Sequence, residues 1–398
     1  ETASAGPVIK HPRKRKGKRL RADRPHHAGS QPPPKKSKSD REEVIESLNS
    51  VDESHEVAEY ELPDVDLLLE GMTLCARLVH ARKGYIYLRG EYRYLLPHLE
   101  AAVARRREAG LLGRGIRGAG AEPFDFDLEL HLGAGAYVCG EESALIESLE
   151  GKRGVARIRP PFPVTQGFLN KPTVVNNVET FAAAARIAVH GSDWWRGAGT
   201  GTSPGTKLLS ISGDCDRPGV YEYPFGVTVA EVLADCGAGE VQAVQVAGAA
   251  GHTIGPDELD RRIAFEDLPT GGSFMVFGPS RDLLDMVRNF TAFFAHESCG
   301  FCTPCRVGTP LLRDLVEKVA RGHATDADLE ELRTIGGTMR AMSQCGLGKT
   351  APNAAFDVLE KFPAAYRRRL SPGAFQPGFD LDAALSEARR LTGRDDPE

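Results

Sequence analysis

Three cysteines stand in the run Glu297-Ser-Cys-Gly-Phe-Cys-Thr-Pro-Cys-Arg306, and a fourth, Cys345, follows forty positions after Cys305. Thiolates at C-x2-C-x2-C spacing converge on one face of a small loop, and a fourth from a distant segment closes a cage of four sulfurs. That three-plus-one set is the ligand pattern of a cubane [4Fe–4S] cluster, which carries single electrons. The competing arrangement, tetrahedral zinc, also uses four thiolates but usually pairs them as two C-x2-C knuckles. Cys299, Cys302, Cys305 and Cys345 are therefore read as cluster ligands. The other cysteines, Cys75, Cys139, Cys215 and Cys236, are scattered singly and do not form a disulfide framework.

Composition narrows the class. With 398 residues, 41% hydrophobic and 26% charged, the chain has the make-up of a multidomain globular protein. No apolar run reaches the ~18 residues that would suggest a membrane span. The net charge of −5 hides an asymmetry. Residues 1–39 carry twelve Lys or Arg and two acidic residues, whereas 40–66 carry eleven Asp or Glu and one Arg. Blocks of like charge with little apolar content predict that residues 1–63 form a disordered charged segment rather than a domain. The basic block is read as a solvated tail in preference to a nucleic-acid site. Unpaired cysteines and no export signal point to a reducing compartment, the cytoplasm.

Hydrophobic periodicity divides the remainder. Helices are expected over 67–79 and 97–109, and a strand and turn over Gly84–Glu91. Phe124-Asp-Phe-Asp-Leu-Glu-Leu-His131 alternates with period two, so it is a strand. It feeds Gly133-Ala-Gly135 and a helix over Glu141–Leu149, an α/β pattern with a ligand crevice at the strand's C-terminal end. Residues 201–279 read as a small mixed sheet with one helix, Thr228–Cys236, of ubiquitin-like size. From 280 to 371 the pattern is helical, with helices over Asp282–His296, Pro310–Ala320, Thr325–Met342 and Asn353–Leu370. The cysteines fall at the ends of these helices. Residues 372–398 form a tail.

Four motifs taken in order identify a family. With the cysteines come Gly133-Ala-Gly-Ala-Tyr-Val-Cys-Gly-Glu-Glu142, Arg159-Pro-Pro-Phe-Pro163 and Lys171-Pro-Thr-Val-Val-Asn-Asn-Val-Glu-Thr180. The chain resembles the NADH-oxidising flavoprotein subunit of respiratory complex I. It is similar also to the diaphorase subunits of NAD-reducing hydrogenases and NAD-dependent formate dehydrogenases. The tail from Phe379 onward resembles the soluble branch. The resemblance implies an α/β flavin domain over 64–200, a ubiquitin-like α+β domain and a C-terminal helical bundle carrying the iron–sulfur cluster. It implies FMN and NAD(H) as further cofactors. A nicotinamide delivers two electrons as hydride while a cluster accepts one, so a flavin between them is required. By resemblance Tyr137, Gly140, Glu141 and Glu142 line the flavin ring, and Gly133, Gly135 and Gly140 let backbone approach it. Asn176, Asn177 and Thr180 match the positions at the ribityl and phosphate end, and Phe162 the aromatic that stacks on the NADH adenine. Glu142 takes the catalytic position beside the nicotinamide. The implied partners are a thioredoxin-like [2Fe–2S] subunit and a larger iron–sulfur or catalytic subunit of one complex, with no nucleic acid and no direct membrane insertion. Attachment is at most peripheral, on the cytoplasmic face.

The sequence departs from the family at one place. The family's glycine-rich loop, G-R-G-G-A-G-F-P, and its N-x-D-E-x-E-P-G segment have no counterpart: residues 1–70 contain only Gly6, Gly17 and Gly29. That loop supplies backbone N–H groups to the FMN phosphate in the family. FMN is accordingly expected to bind weakly. The alternative function is a flavin-free electron-relay or structural subunit that retains only the cluster. Singly, each flavin residue has a plain alternative: Asn177 a helix cap, the Glu pair a solvated face, Gly-x-Gly an ordinary turn.

Overall fold

The computed structural model describes residues 43–47, 65–116, 122–371 and 381–393. The chain falls into two compact units, 1–280 and 281–398.

The first unit contains two five-stranded sheets. Its first sheet is built from β1 (Glu43–Ser47), β2 (Lys83–Leu88), β3 (Gly113–Ile116), β4 (Phe124–Leu132) and β5 (Thr173–Asn177), in the order β3-β4-β2-β1-β5. β1 runs parallel to both β2 and β5, and β2 parallel to β4; β3 is an antiparallel edge. The C-terminal ends of four strands, at Ser47, Leu88, Leu132 and Asn177, therefore lie along one edge. The chain steps from β1 outward to β2 and β4, then crosses back to β5 on β1's other side. Such a reversal of strand order opens a crevice at the carboxyl ends of the strands.

β1 corrects the expectation that all of 1–63 lies outside the fold. Averaged over sixty residues, charge hides a five-residue stretch, Glu-Val-Ile-Glu-Ser, whose β-branched centre suits a strand. Its backbone pairs on both sides, Val44 opposite Gly84 and Val174. The remainder of 1–63 lies outside the described residues.

Helices α1 (Val65–Val79), α2 (Leu96–Glu108), α3 (Glu142–Leu149) and α4 (Val178–His190) connect the strands. Leu68, Leu69 and Met72 of α1, Leu99 and Val103 of α2 and Phe181 of α4 share one core with Ile86, Leu88, Phe126 and Leu128 of the sheet. β4 alternates because one of its faces is wetter. β2 does not: Tyr85, Ile86, Tyr87 and Leu88 are all buried, as befits a parallel strand covered on both faces.

The second sheet has the order β7-β6-β10-β8-β9, from β6 (Thr206–Gly213), β7 (Gly219–Pro224), β8 (Ala243–Val246), β9 (His252–Ile254) and β10 (Ser273–Phe277). β6 and β7 form the expected hairpin, and β10 pairs parallel with β6. Helix α5 (Val229–Cys236) starts with a Thr228/Glu231 capping box and buries Val229, Val232 and Leu233 against Leu209, Val244 and Phe274. β9 is too short to show a period in the sequence.

The second unit is helical: α6 (Leu283–Glu297), α7 (Thr303–Ala320), α8 (Asp326–Met342), α9 (Gly346–Thr350), α10 (Asn353–Lys361), α11 (Pro363–Arg367) and α12 (Leu381–Thr392). Two expectations are corrected. α7 begins at Thr303 rather than Pro310: the proline near its start is Pro304, and Pro310 lies inside the helix. The single helix expected over Asn353–Leu370 is broken at Phe362 (φ −126°, ψ 52°), because a following proline disfavours helical geometry in the residue before it. Thr325 and Asp328 form the expected capping box.

Candidate functional site

Three of the four cysteines sit where helices begin. Cys302 is the N-cap of α7 and Cys345 that of α9, Cys305 lies in the first turn of α7, and Cys299 follows α6. Cys305 and Cys345 are buried, Cys299 and Cys302 half-buried. The loop is held shut by Arg306, whose guanidinium donates to Gly300 O (2.9 Å), Phe301 O (3.1 Å) and Thr303 Oγ1 (3.2 Å). Burial pushes the Cys305 thiol up to about 11; a bond with Ser298 opposes this, and Cys302, Cys345 and Cys299 add to it. Cys345 is also raised by burial, against backbone N–H groups of Gly348 and Leu347 and with Cys299 and Cys302 contributing. The two buried thiols are thus both disfavoured as thiolates by burial and by neighbouring cysteines. Four thiolates held together would call for a compensating positive centre, which is what the iron of a cluster would supply.

Donors already face the sulfurs. Ser298 Oγ lies 3.3 Å from Cys305 Sγ and itself accepts from Gly300 N (3.3 Å), which leaves its hydroxyl hydrogen for the sulfur. Among the described residues, no three His, Cys, Asp or Glu side chains gather closely enough for a single metal ion. Zinc usually takes four thiolates as two C-x2-C knuckles, whereas three at C-x2-C-x2-C spacing with a distant fourth is the pattern of a four-iron cluster. The donor set fits the cluster.

The second candidate lies in the first unit, at the strand ends. Gly133 N donates to Leu88 O (2.7 Å), tying the turn after β4 to that after β2. A Cβ on Gly133 would stand 2.7 Å from the Tyr87 hydroxyl, so no other residue fits without moving that ring. Gly135 has φ +80° and its Cβ direction is open, the nearest atoms being those of the Glu91 carboxylate at 3.8 Å. The backbone at Ala134–Gly135 is open, whereas Gly133 is buried against Tyr87. Tyr137, 40% exposed, opens the 3-10 turn that ends at Gly140.

The two glutamates then divide their duties. Glu141 is the N-cap of α3: its Oε2 accepts from Ser143 N (3.1 Å), Ser143 Oγ (2.6 Å) and Ala144 N (2.9 Å). Its Oε1 is buried without a hydrogen bond, with the Arg159 guanidinium 3.4 Å away. Glu142 pairs with Arg159 at 2.6 Å. Arg159 also lies over the Phe162 ring, 5.8 Å from its centroid, and that ring is 51% exposed. One arginine therefore brings together Glu141, Glu142 and Phe162.

Asn176 and Asn177 end β5, and Thr180 is exposed in the first turn of α4. Asn177 Oδ1 caps α4 by accepting from Glu179 N (2.8 Å), so the plain reading holds for that atom. β5 is three strand positions from β4, about 14 Å at the usual spacing. The asparagines thus stand at the far end of the same edge from Gly133. Two residues escaped sequence reasoning. Glu91 and Arg89 leave β2 at this edge and pair at 2.8 Å; the Arg89 guanidinium holds the Glu91 carboxyl below its ordinary range, against opposing burial. Their signal was position: they follow a buried parallel strand directly, where ligand-facing residues sit.

Both candidate sites fall within regions that match known families. The iron–sulfur binding region of NADH-ubiquinone oxidoreductase-F matches residues 285–369, and the Nuo51 FMN-binding domain matches 58–186. The F subunit of the NADH-quinone oxidoreductase of Escherichia coli is 40% identical over 326 residues, 78% of this chain and 71% of that protein. The chain belongs to the family of NADH-quinone oxidoreductase F subunits. Within it, the alpha subunit of the NAD-reducing hydrogenase HoxS of Cupriavidus necator is 51% identical over 318 residues, covering 79% of this chain and 52% of that protein. A crystal structure of an NAD+-reducing [NiFe]-hydrogenase in the H2-reduced state superimposes with a TM-score of 0.82 at 48% identity, over 90% of this chain and 62% of that one. The chain thus spans about half the length of the HoxS alpha subunit. This family member carries the [4Fe–4S]-binding region and the FMN-binding domain. The strand-end edge fits a flavin at the open backbone of Gly135, whose φ of +80° and clear Cβ direction leave room for a flat ring. Among the described residues, no helix is long and apolar enough to cross a membrane.

Proposed function

We propose that this chain is the NADH-oxidising subunit of a multi-subunit oxidoreductase, taking electrons from NADH at FMN and passing them singly to a [4Fe–4S] cluster on Cys299, Cys302, Cys305 and Cys345. The observation that carries this reading is that one chain of this family has four cysteines at three-plus-one spacing beside helix ends, a serine hydroxyl facing one of them, and an open-backbone turn at a strand-end edge. FMN, when bound, supplies the exchange between a hydride and single electrons. The chain's own residues hold and orient. Gly133, Gly135, Tyr137, Gly140 and Glu141 form the wall against the flavin ring. Asn176, the amide of Asn177 and Thr180 take its ribityl and phosphate end. Phe162, backed by Arg159, offers an aromatic face to adenine, and Glu142, oriented by Arg159, stands beside the nicotinamide.

The 51% identity to an NAD-reducing hydrogenase subunit, against 40% to a respiratory one, supports a soluble NAD-linked complex in the cytoplasm. A thioredoxin-like [2Fe–2S] protein and a larger iron–sulfur or catalytic subunit are its proposed partners. The helix packed on a mixed sheet supports the ubiquitin-like reading of 201–279, between a flavin domain over 64–200 and a cluster domain over 280–371. The test is anaerobic purification of the full chain with assay of iron, sulfide, released FMN and NADH-dependent ferricyanide reduction. About four irons with NADH oxidation supports the proposal. Zinc in place of iron sinks it, and iron without NADH oxidation reduces the chain to a relay.

A further inference from the structure

The Ser343 hydroxyl is buried, with the residue 3% exposed, and makes no hydrogen bond. Native proteins rarely leave such a group unmatched, so a partner missing from the protein's own atoms is implied. Its position names that partner. Ser343 ends α8 and precedes Cys345 by two residues. A Cβ built on Gly348 would meet Ser343 Oγ at 2.5 Å and Cys305 Cβ at 2.9 Å, so both side chains crowd the same point. The backbone N–H of that same Gly348 bonds the Cys345 thiol. The hydroxyl is therefore buried beside Gly348, in the neighbourhood of Cys305 on α7 and Cys345 at the start of α9.

We infer that Ser343 is a positioning and tuning residue for electron transfer: its hydroxyl donates a hydrogen bond to a sulfur of the cluster bound by Cys305 and Cys345 and raises that cluster's reduction potential. The inference rests on the cluster reading above. A donor aimed at sulfur favours the reduced state, because reduction adds negative charge to the cluster while the donor stays fixed. Burial strengthens the effect by excluding water that would otherwise replace it. Ser298 does the same for Cys305 from a half-buried loop, where its hydrogen bond is already visible at 3.3 Å. Ser343 differs in having its partner supplied only when the cluster is present.

The test is a redox titration of the full chain, loaded anaerobically with iron and sulfide and followed by the electron paramagnetic resonance signal of the reduced cluster. Ser343→Ala should hold about four irons yet lower the reduction equilibrium constant about tenfold, a shift of about 59 mV for a one-electron couple. Ser343→Thr keeps the donor and should keep the wild-type midpoint. In wild-type protein exchanged into D2O, electron–nuclear double resonance should show a deuteron coupling beyond those of Ser298 and the Gly348 and Leu347 N–H groups, and that further coupling should be lost in Ser343→Ala. A loaded Ser343→Ala protein with an unmoved midpoint overturns the inference while leaving the cluster reading intact. A Ser343→Thr midpoint displaced as far as that of Ser343→Ala also overturns it. Should Ser343→Ala fail to hold iron, the Ser343→Thr midpoint and the wild-type deuteron coupling decide. Wild-type protein that binds no iron overturns the cluster reading itself.

Discussion

At the residue scale, one arginine organises the exposed half of the flavin edge. Arg159 is the shared partner of Glu141, Glu142 and the Phe162 ring. Removing it leaves two carboxylates without their cation and an aromatic ring without its backing. Arg159→Ala should therefore raise KM for NADH about tenfold, since loss of a hydrogen bond to a charged group is worth ~1.5–3 kcal/mol and ~1.4 kcal/mol is a factor of ten. Arg159→Lys should restore little, because a point charge cannot serve a carboxylate pair and a ring at once. Steady-state kinetics with ferricyanide would show it, and an unchanged KM would remove Arg159 from the nucleotide site. At the other site, Cys345→Ser should lose most of the iron, whereas Cys75→Ser, on α1 of the first unit, should keep it; equal iron contents would refute the ligand assignment. The two sites differ in how they could be read from sequence. Candidate cluster ligands are marked by chemistry and spacing, so four cysteines are enough to propose them. Arg159 acts on Glu141 and Glu142, which lie 18 and 17 residues earlier in the chain, so its motif alone does not show what it pairs with.

At the element scale, the turn between α3 and β5 shows how the edge is kept in place. Leu169 has φ +50°, a left-handed conformation unfavourable for leucine. It is held by its N–H bond to Glu150 Oε1 (2.8 Å), while Arg157 bridges Glu150 (3.0 Å), Glu147 (2.6 Å) and Gly167 O (2.9 Å). Burial alone would raise the Glu150 carboxyl, but Lys152, the Leu169 N–H and Arg157 outweigh it and hold it below its ordinary range. A carboxyl whose pKa is lowered on folding stabilises the protein above its unfolded value of ~4.3, and that stabilisation is lost as pH falls through the folded value. Glu150→Gln should therefore lower stability by about 1–3 kcal/mol at pH 7. The gap in unfolding midpoint between the two proteins should stay level down to about pH 5 and narrow below about pH 4. A gap independent of pH would mean that the charge of Glu150 does not matter. Sequence reasoning reached the helices at this scale because amphipathic periodicity is local. It misplaced the start of α7 because Pro310 looks like a first-turn proline. It missed β1 because pairing on both sides, not composition, makes those five residues a strand.

At the scale of the whole molecule, the open question is how firmly the FMN-binding domain holds its flavin. The match to that domain begins at residue 58, and residues 1–70 contain Gly6, Gly17 and Gly29 but no glycine-rich run. A phosphate is ordinarily held by several backbone N–H groups at such a run or at a helix start. Each hydrogen bond to a charged group is worth ~1.5–3 kcal/mol, so losing two weakens binding by roughly two to four orders of magnitude. The ring-side wall at Gly133–Glu142 and the asparagines of β5 are built from residues of this chain and remain. The expected outcome is therefore partial: the protein purifies with little FMN, yet added FMN restores NADH oxidation at concentrations far above those a tightly held flavin needs. Joining a glycine-rich loop in frame ahead of Val65 should bring the flavin content toward one per chain without altering the iron content. The iron provides the internal control, because its ligands all lie in the second unit. FMN held stoichiometrically through gel filtration by the chain as it stands would show that other N–H groups already serve the phosphate. In that case the inserted loop should change nothing.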